Sequence, residues 1–139
     1  MAGTRTLTII KPDAFGAGKT GKIIAHLEGA GFKIRAARVL RLTQPQAEAF
    51  YEVHRARPFF ASLTRFMTSG VCMPMLLERA DAVSTLRSVI GATDPAEAAA
   101  GTVRKLYAES KERNAIHVSH SDENADREAA FFFAEADRI

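Results

Sequence analysis

Cysteine is almost missing from these 139 residues: Cys72 stands alone, which excludes an internal disulfide. Its neighbours Val71 and Met73 are apolar, so a buried structural thiol is expected rather than a nucleophile. The lack of cross-links suits a reducing, cytoplasmic setting. No apolar run approaches the ~20 residues that span a bilayer, so no membrane partner is expected. Met1 to Arg5 lead directly into an alternating segment, without the apolar block of a signal peptide. Repeats, linkers and low-complexity tracts are missing beyond Ala98-Ala99-Ala100, and one domain over residues 1–139 is the expectation. Charge of one sign is scarce too. A net charge of +3 is too small to argue for specific nucleic acid. Its distribution says more: residues 1–57 hold ten Lys or Arg against four acids, and residues 58–139 hold nine against twelve. A basic half suits either an anionic small ligand or a merely solvated face.

What is there is patterned. Thr6 to Lys11 alternates, with Leu7, Ile9 and Lys11 on one face and Thr8 and Ile10 on the other, a strand that Pro12 ends. Ile23, Ile24, Leu27 and Ala30 recur at helical spacing, and Gly29 and Gly31 mark the exit. Phe32 to Leu42 reads as a second strand. Thr43 and Gln46 have capping-box spacing and open a helix carrying Ala47, Phe50, Tyr51 and His54 on one side. Phe59 to Met67 reads as another short helix. Val71 to Leu77 is apolar enough for a buried strand, within which Pro74 argues for a bulge or an unpaired edge. Asp81 to Ile90 is helical. Residues 91–113 show no firm period and form a long connection, often a functional feature. Asn114 to Ser119 alternates as a last strand, and Ser121 caps a helix with an acidic first turn. Strands and helices alternate, which gives an α/β-like or α+β class.

The last strand and helix carry the clearest chemistry. Alternation places Ala115, His117 and Ser119 on one face, and the following helix aligns Ala125, Glu128, Ala129 and Phe132 in one stripe. Glu128 is a carboxylate among apolar neighbours, costly unless paired. A histidine on the adjoining strand is a natural partner: a carboxylate on one ring nitrogen fixes the tautomer and leaves the other nucleophilic. Pattern alone accommodates equally a core histidine with Glu128 reaching to water.

The run Asn114-Ala115-Ile116-His117-x-Ser119 resembles the active-site signature of nucleoside diphosphate kinases, N-x-x-H-G-S-D. The similarity continues through Arg5 to Asp13, Gly29 to Ile34, Phe50 to His54, Arg57 to Phe60, Phe66 to Gly70 and Gly91 to Pro95. Seven segments in order are a specific resemblance where a lone N-x-x-H would be a weak one. It implies an α+β, ferredoxin-like βαββαβ fold: a four-stranded antiparallel sheet with surrounding helices. It also implies that His117 takes the γ-phosphate of a nucleoside triphosphate and passes it to a diphosphate. Lys11, Tyr51, Arg87 and Arg104 match groups around the moving phosphate, and Thr93 and His54 match further phosphate contacts. Lys11 and Asn114 match the sugar-hydroxyl ligands, Phe59 the ring on which the base stacks, with Leu63 beside it. Ser119 and Glu128 match the residues that position the histidine. Mg²⁺ is expected on the nucleotide phosphates with no dedicated protein site, and the assembly expected is a homo-tetramer or homo-hexamer, the short tail favouring the smaller.

The chain departs from that pattern close to the histidine. Val118 stands at the signature glycine and His120 at its aspartate. Valine does not take positive φ readily, so either backbone shape changes there or Val118 packs in plain strand, which the alternation favours. His120 is expected to alter the pH profile or to add a minor phosphate contact. Lys105, Leu106 and Tyr107 follow Arg104 where a small residue and an acid are usual, and Lys111 replaces an apolar cover for the base. A nucleotide-binding regulatory protein with weakened transfer is the alternative these departures raise.

Overall fold

The computed structural model describes residues 3–139. Four strands, β1 (Arg5–Ile10), β2 (Lys33–Ala37), β3 (Met73–Glu78) and β4 (Ile116–Val118), form one sheet in the order β2-β3-β1-β4, each neighbour antiparallel. This is the expected ferredoxin-like arrangement. Its crossover helices α2 (Thr20–Gly29) and α5 (Ala82–Ile90) cover one face, where Ile10, Ile23, Leu27, Met75, Leu77, Leu86 and Ile90 interlock. The added helices α3 (Gln44–Phe50), α4 (Phe60–Met67) and α7 (Asp122–Phe132) cover the other, around Leu7, Ile9, Phe50, Met67, Leu76 and Phe132. With both faces buried, β1 is apolar or threonine after its first residue, Arg5, and Thr6 and Thr8 are as inaccessible as Leu7.

Several boundaries differ from expectation, each for a physical reason. Pro12 does more than end a strand: it is the first residue of α1 (Pro12–Gly16), where its fixed φ and missing N–H cost nothing. β2 stops at Ala37 rather than Leu42, and beyond it only an isolated bridge joins Leu40 to Cys72. The helix capped by Thr43 has the expected reciprocal capping box but ends at Phe50, and His54 lies in a separate 3₁₀ turn, Glu52–His54. The connection 91–113 contains a single helical turn, α6 (Val103–Tyr107), capped by Thr102.

Pro74 is neither at an edge nor in a bulge, for β3 is an inner strand and the register shift lies in β2 between Ile34 and Ala36. The Pro74 carbonyl accepts from Arg38 N at 3.1 Å, so its nitrogen also faces the β2 side. There the register shared by Ala37–Met75 and Leu40–Cys72 sets Pro74 opposite Arg38, so the ring removes the return bond to the Arg38 carbonyl and the ladder ends at Ala37–Met75.

The last strand is also shorter than its alternation suggests. Ala115 has φ +73, and Ile116 N bonds the Asn114 carbonyl at 2.9 Å, a γ-turn of the rarer positive-φ kind. Ala115 therefore packs with Ile116 and Val118 on the α2/α5 face, not beside His117. The turn is held from outside: Ala115 N donates to Asp13 Oδ2 at 3.1 Å and its carbonyl accepts from Lys11 N at 2.9 Å. Val118 has no such strain. It pairs with Thr8 inside the ladder, in the plain strand that alternation favours.

Candidate functional site

His117 lies opposite Ile9 in the β1–β4 register and so shares the face of Leu7 and Ile9. Its carbonyl accepts from the buried Thr8 hydroxyl at 2.6 Å, which fixes the backbone beneath the ring. Across from it, α7 carries Glu128, only 5 % exposed. Glu128 Oε1 accepts from His117 Nε2 at 2.7 Å and from Ser119 Oγ at 2.7 Å. A carboxylate only accepts, so the ring proton sits on Nε2 and Nδ1 keeps its lone pair. Burial works to raise the Glu128 carboxyl, but the bonds from His117 and Ser119 and the charge of Arg127 hold it below its usual range. Burial lowers His117 below the ordinary imidazole value, against the pull of Glu128, which favours the neutral, nucleophilic ring at neutral pH.

The ring stands at the floor of a cavity of about 490 Å³. One wall is aromatic: Tyr51 meets the imidazole edge-on with centroids 5.9 Å apart, and His54 and Phe59 continue toward the mouth, while Phe50, buried behind the lining, meets the ring edge-on at 5.3 Å. Tyr51 Oη is buried without a partner, and burial together with Glu128 pushes its ionisation far up, so it stays a neutral donor. Phe59 is 46 % exposed at the rim with Leu63 beside it, an open platform.

The opposite wall is cationic. Lys11, at the end of β1, donates to Asn114 Oδ1 at 2.9 Å. Burial and then the nearby Arg104 lower it to about 8. Arg104, on α6, reaches under the loop to the carbonyls of Gly91 and Ile116 at 3.0 and 2.8 Å, and burial lowers it to about 10. Its Nε is left buried and unpartnered. Two buried cations and an unpartnered hydroxyl around a neutral imidazole form a ready anion site. Thr93 lines this end of the cavity.

Of the expected nucleotide-binding residues, Arg87 alone lies outside the cavity. It lines an adjoining depression of about 400 Å³ that shares Thr93, Arg104, Val118 and His120 with the main cavity. Ser119 and Glu128 stand behind His117 instead of lining the space. Two residues went unnoticed in the sequence. Phe50 buttresses the ring, a role that helical spacing signalled only as core. Glu112 lines the mouth and accepts from Ser62 Oγ at 2.7 Å; it lies in a stretch without period, where no sequence signal marked it.

Among the described residues no three His, Cys, Asp or Glu converge to hold a metal ion, and no helix is long and apolar enough to cross a membrane. The cavity's charged groups, Lys11, Arg104 and Lys111 against Glu112, fit phosphate oxygens that bring their own cation.

Comparison with known proteins agrees with this geometry. A family model described as nucleoside diphosphate kinase matches residues 4–138. A nucleoside diphosphate kinase of Chlorobium chlorochromatii is 58 % identical over 94 % of this chain and 93 % of its own. One from Anaeromyxobacter is 52 % identical, covering 97 % and 92 %. Among solved structures, the Aquifex aeolicus nucleoside diphosphate kinase superposes with a TM-score of 0.96 at 42 % identity, over 98 % of this chain and 99 % of the other. The halophilic enzyme of Halobacterium salinarum, in complex with CDP, gives 0.92 at 39 %, over 97 % and 90 %. By sequence over nearly its whole length and by fold, this chain belongs to the nucleoside diphosphate kinase family.

Proposed function

We propose that the chain transfers the γ-phosphate of a nucleoside triphosphate to a nucleoside diphosphate, by a ping-pong route through His117 Nδ1. The observation that carries this is the 2.7 Å bond from Nε2 to Glu128, itself held by Ser119, at the floor of a cation-walled cavity. The Nδ1 lone pair attacks Pγ as the bond from Pγ to the β,γ-bridging oxygen breaks, and the diphosphate leaves with that oxygen's electrons. The ring then carries the phosphoryl group on Nδ1 and its proton on Nε2. That imidazolium is neutralised by the Glu128 carboxylate, already in place. A terminal oxygen of a second diphosphate takes the group back.

Lys11, Arg104 and the Tyr51 hydroxyl receive charge as it moves onto the bridging oxygen, with Thr93 and His54 as further phosphate contacts and Arg87 approaching from the adjoining depression. Asn114 and Lys11 hold the sugar hydroxyls. Mg²⁺ carried by the nucleotide would shield the mutual repulsion of the phosphates. The base stacks on Phe59 beside Leu63, and stacking accepts purines and pyrimidines alike. The complex of the Halobacterium salinarum relative with CDP supports a pyrimidine diphosphate as one such ligand. Assembly as a homo-tetramer or homo-hexamer belongs to the same reading, and multi-angle light scattering decides between four, six or one chain.

The test is a coupled assay with ATP as donor and a deoxynucleoside diphosphate as acceptor. Parallel double-reciprocal lines, together with acid-labile ³²P uptake that His117→Ala abolishes, are expected. Undiminished labelling in His117→Ala overturns the nucleophile assignment.

A further inference from the structure

We infer that Asp13 is a positioning residue of the transfer: by holding Ala115 in its positive-φ turn, it sets Asn114, which grips the sugar, against His117, which takes the phosphate. The inference rests on the transfer reading above and adds to it a residue that touches neither nucleotide nor reacting atoms.

The backbone between Asn114 and His117 bends through Ala115 at φ +73. An L-residue keeps such a conformation only where its surroundings over-determine it. The methyl of Ala115 is buried on the α2/α5 face, its carbonyl accepts from Lys11 N at 2.9 Å, and its N–H donates to Asp13 Oδ2 at 3.1 Å. The flanking residues are fixed as well. Asn114 Oδ1 accepts from Lys11 Nζ at 2.9 Å, Asn114 Nδ2 donates to the Lys111 carbonyl at 3.0 Å, and Arg104 donates to the Ile116 carbonyl at 2.8 Å. Lys11, Arg104, Lys111 and Asn114 all line the main cavity. Asp13 does not: it lies behind that cavity, against a separate depression with Phe66 and Arg113. Its hydrogen bond to the site is made through the turn.

Packing alone does not account for this carboxylate. Asp13 is 8 % exposed, and its other oxygen, Oδ1, is buried without a hydrogen-bond partner, an expensive arrangement for a side chain that only fills space. The first turn of α1, where Asp13 follows Pro12, suits its negative charge. Without Asp13 a buried N–H loses its acceptor, and the strain at Ala115 is relieved by a return to negative φ, which swings Asn114 relative to His117. Misplacement of a reacting group on the ångström scale costs rate on the order of a hundredfold.

The experiment is single-turnover uptake of ³²P from saturating Mg²⁺-ATP at pH 7, expressed per folded molecule, with thermal unfolding measured in parallel. Asp13→Ala should slow uptake by about 10- to 100-fold; a role in stability alone would lower the unfolding midpoint and leave the rate of folded molecules unchanged. Adding Ala115→Gly to Asp13→Ala should return most of the rate, because glycine takes positive φ without an acceptor to hold it. Asp13→Asn keeps an acceptor oxygen but removes a charge that, against burial and Arg104, helps to keep Lys11 protonated; it should stay close to wild type at saturation. Asp13→Glu keeps the charge and displaces the acceptor by one methylene, so it should be slow, and it carries the same comparison with Ala115→Gly if Asp13→Ala does not fold. A wild-type rate in the displaced or deleted variants, an Asp13→Asn as slow as Asp13→Ala, or no recovery on adding Ala115→Gly overturns the assignment. Failure of wild type to take acid-labile phosphate on His117 would instead count against the transfer reading itself.

Discussion

At the scale of single residues, the chemistry rests on a carboxylate shared by a ring N–H and a hydroxyl. Glu128→Gln keeps the shape and removes the charge that would balance the phosphorylated ring. Single-turnover phosphate uptake should slow by about 10- to 100-fold, as when an orienting partner is lost, and an unchanged rate means that Glu128 does not act on His117. The pH profile follows from two displaced ionisations. His117 titrates below the ordinary imidazole value, so uptake should hold through neutrality and decline only as the ring is protonated in mild acid. Lys11 titrates near 8, so nucleotide affinity should fall as pH rises through that value. Stopped-flow uptake and binding titrations from pH 5 to 9 separate the two limbs. The His117–Ser119–Glu128 group was readable because strand alternation and a helical stripe each expose one misfit polar residue. Glu112 was not readable, since its partner Ser62 is 50 positions away and neither residue lies in a periodic segment.

Between residue and molecule, the elements show where sequence patterns run out. α1 and α6 have five residues each, too few for an apolar period to emerge. Ala115 takes positive φ with no glycine to advertise it, because Asp13 and Lys11, about a hundred positions earlier, hold the turn in place. Gly91, by contrast, announces itself and is needed. It ends α5 at φ +94 with extended ψ, and a Cβ there would lie 2.6 Å from Thr102 Oγ1. Gly91→Ala should cost roughly 1–3 kcal/mol from the backbone alone and, by shifting the carbonyl that holds Arg104, raise KM; denaturant unfolding and steady-state assays measure each effect. Pro74→Ala restores an N–H opposite the Arg38 carbonyl while freeing the unfolded chain, two opposed effects that should leave stability within about 1 kcal/mol by denaturant unfolding.

The whole molecule buries its sheet on both faces, and Cys72 is wholly inaccessible within the α3/α4/α7 layer. Burial raises its thiol to about 11. An aromatic disulfide reagent at pH 8 should therefore react with Cys72 only at the rate of global opening, and its slope against urea should equal that of circular dichroism. Faster reaction would place a local opening between α4 and β3. The fold class was legible at this scale from alternation and from the resemblance together; strand direction came from the resemblance alone, because antiparallel order depends on contacts between distant segments.

The shortest strand closes the longest loop. β4 has three residues, and the Thr8 hydroxyl bonds a carbonyl 109 positions further along the chain. Helices α2 and α5 can form from near neighbours, whereas this pairing must wait until nearly the whole polypeptide has been gathered. The nucleophile thus has no existence in any partly folded form. During refolding, helical signal should return first and the capacity to accept phosphate afterwards, so that a half-made molecule is chemically silent.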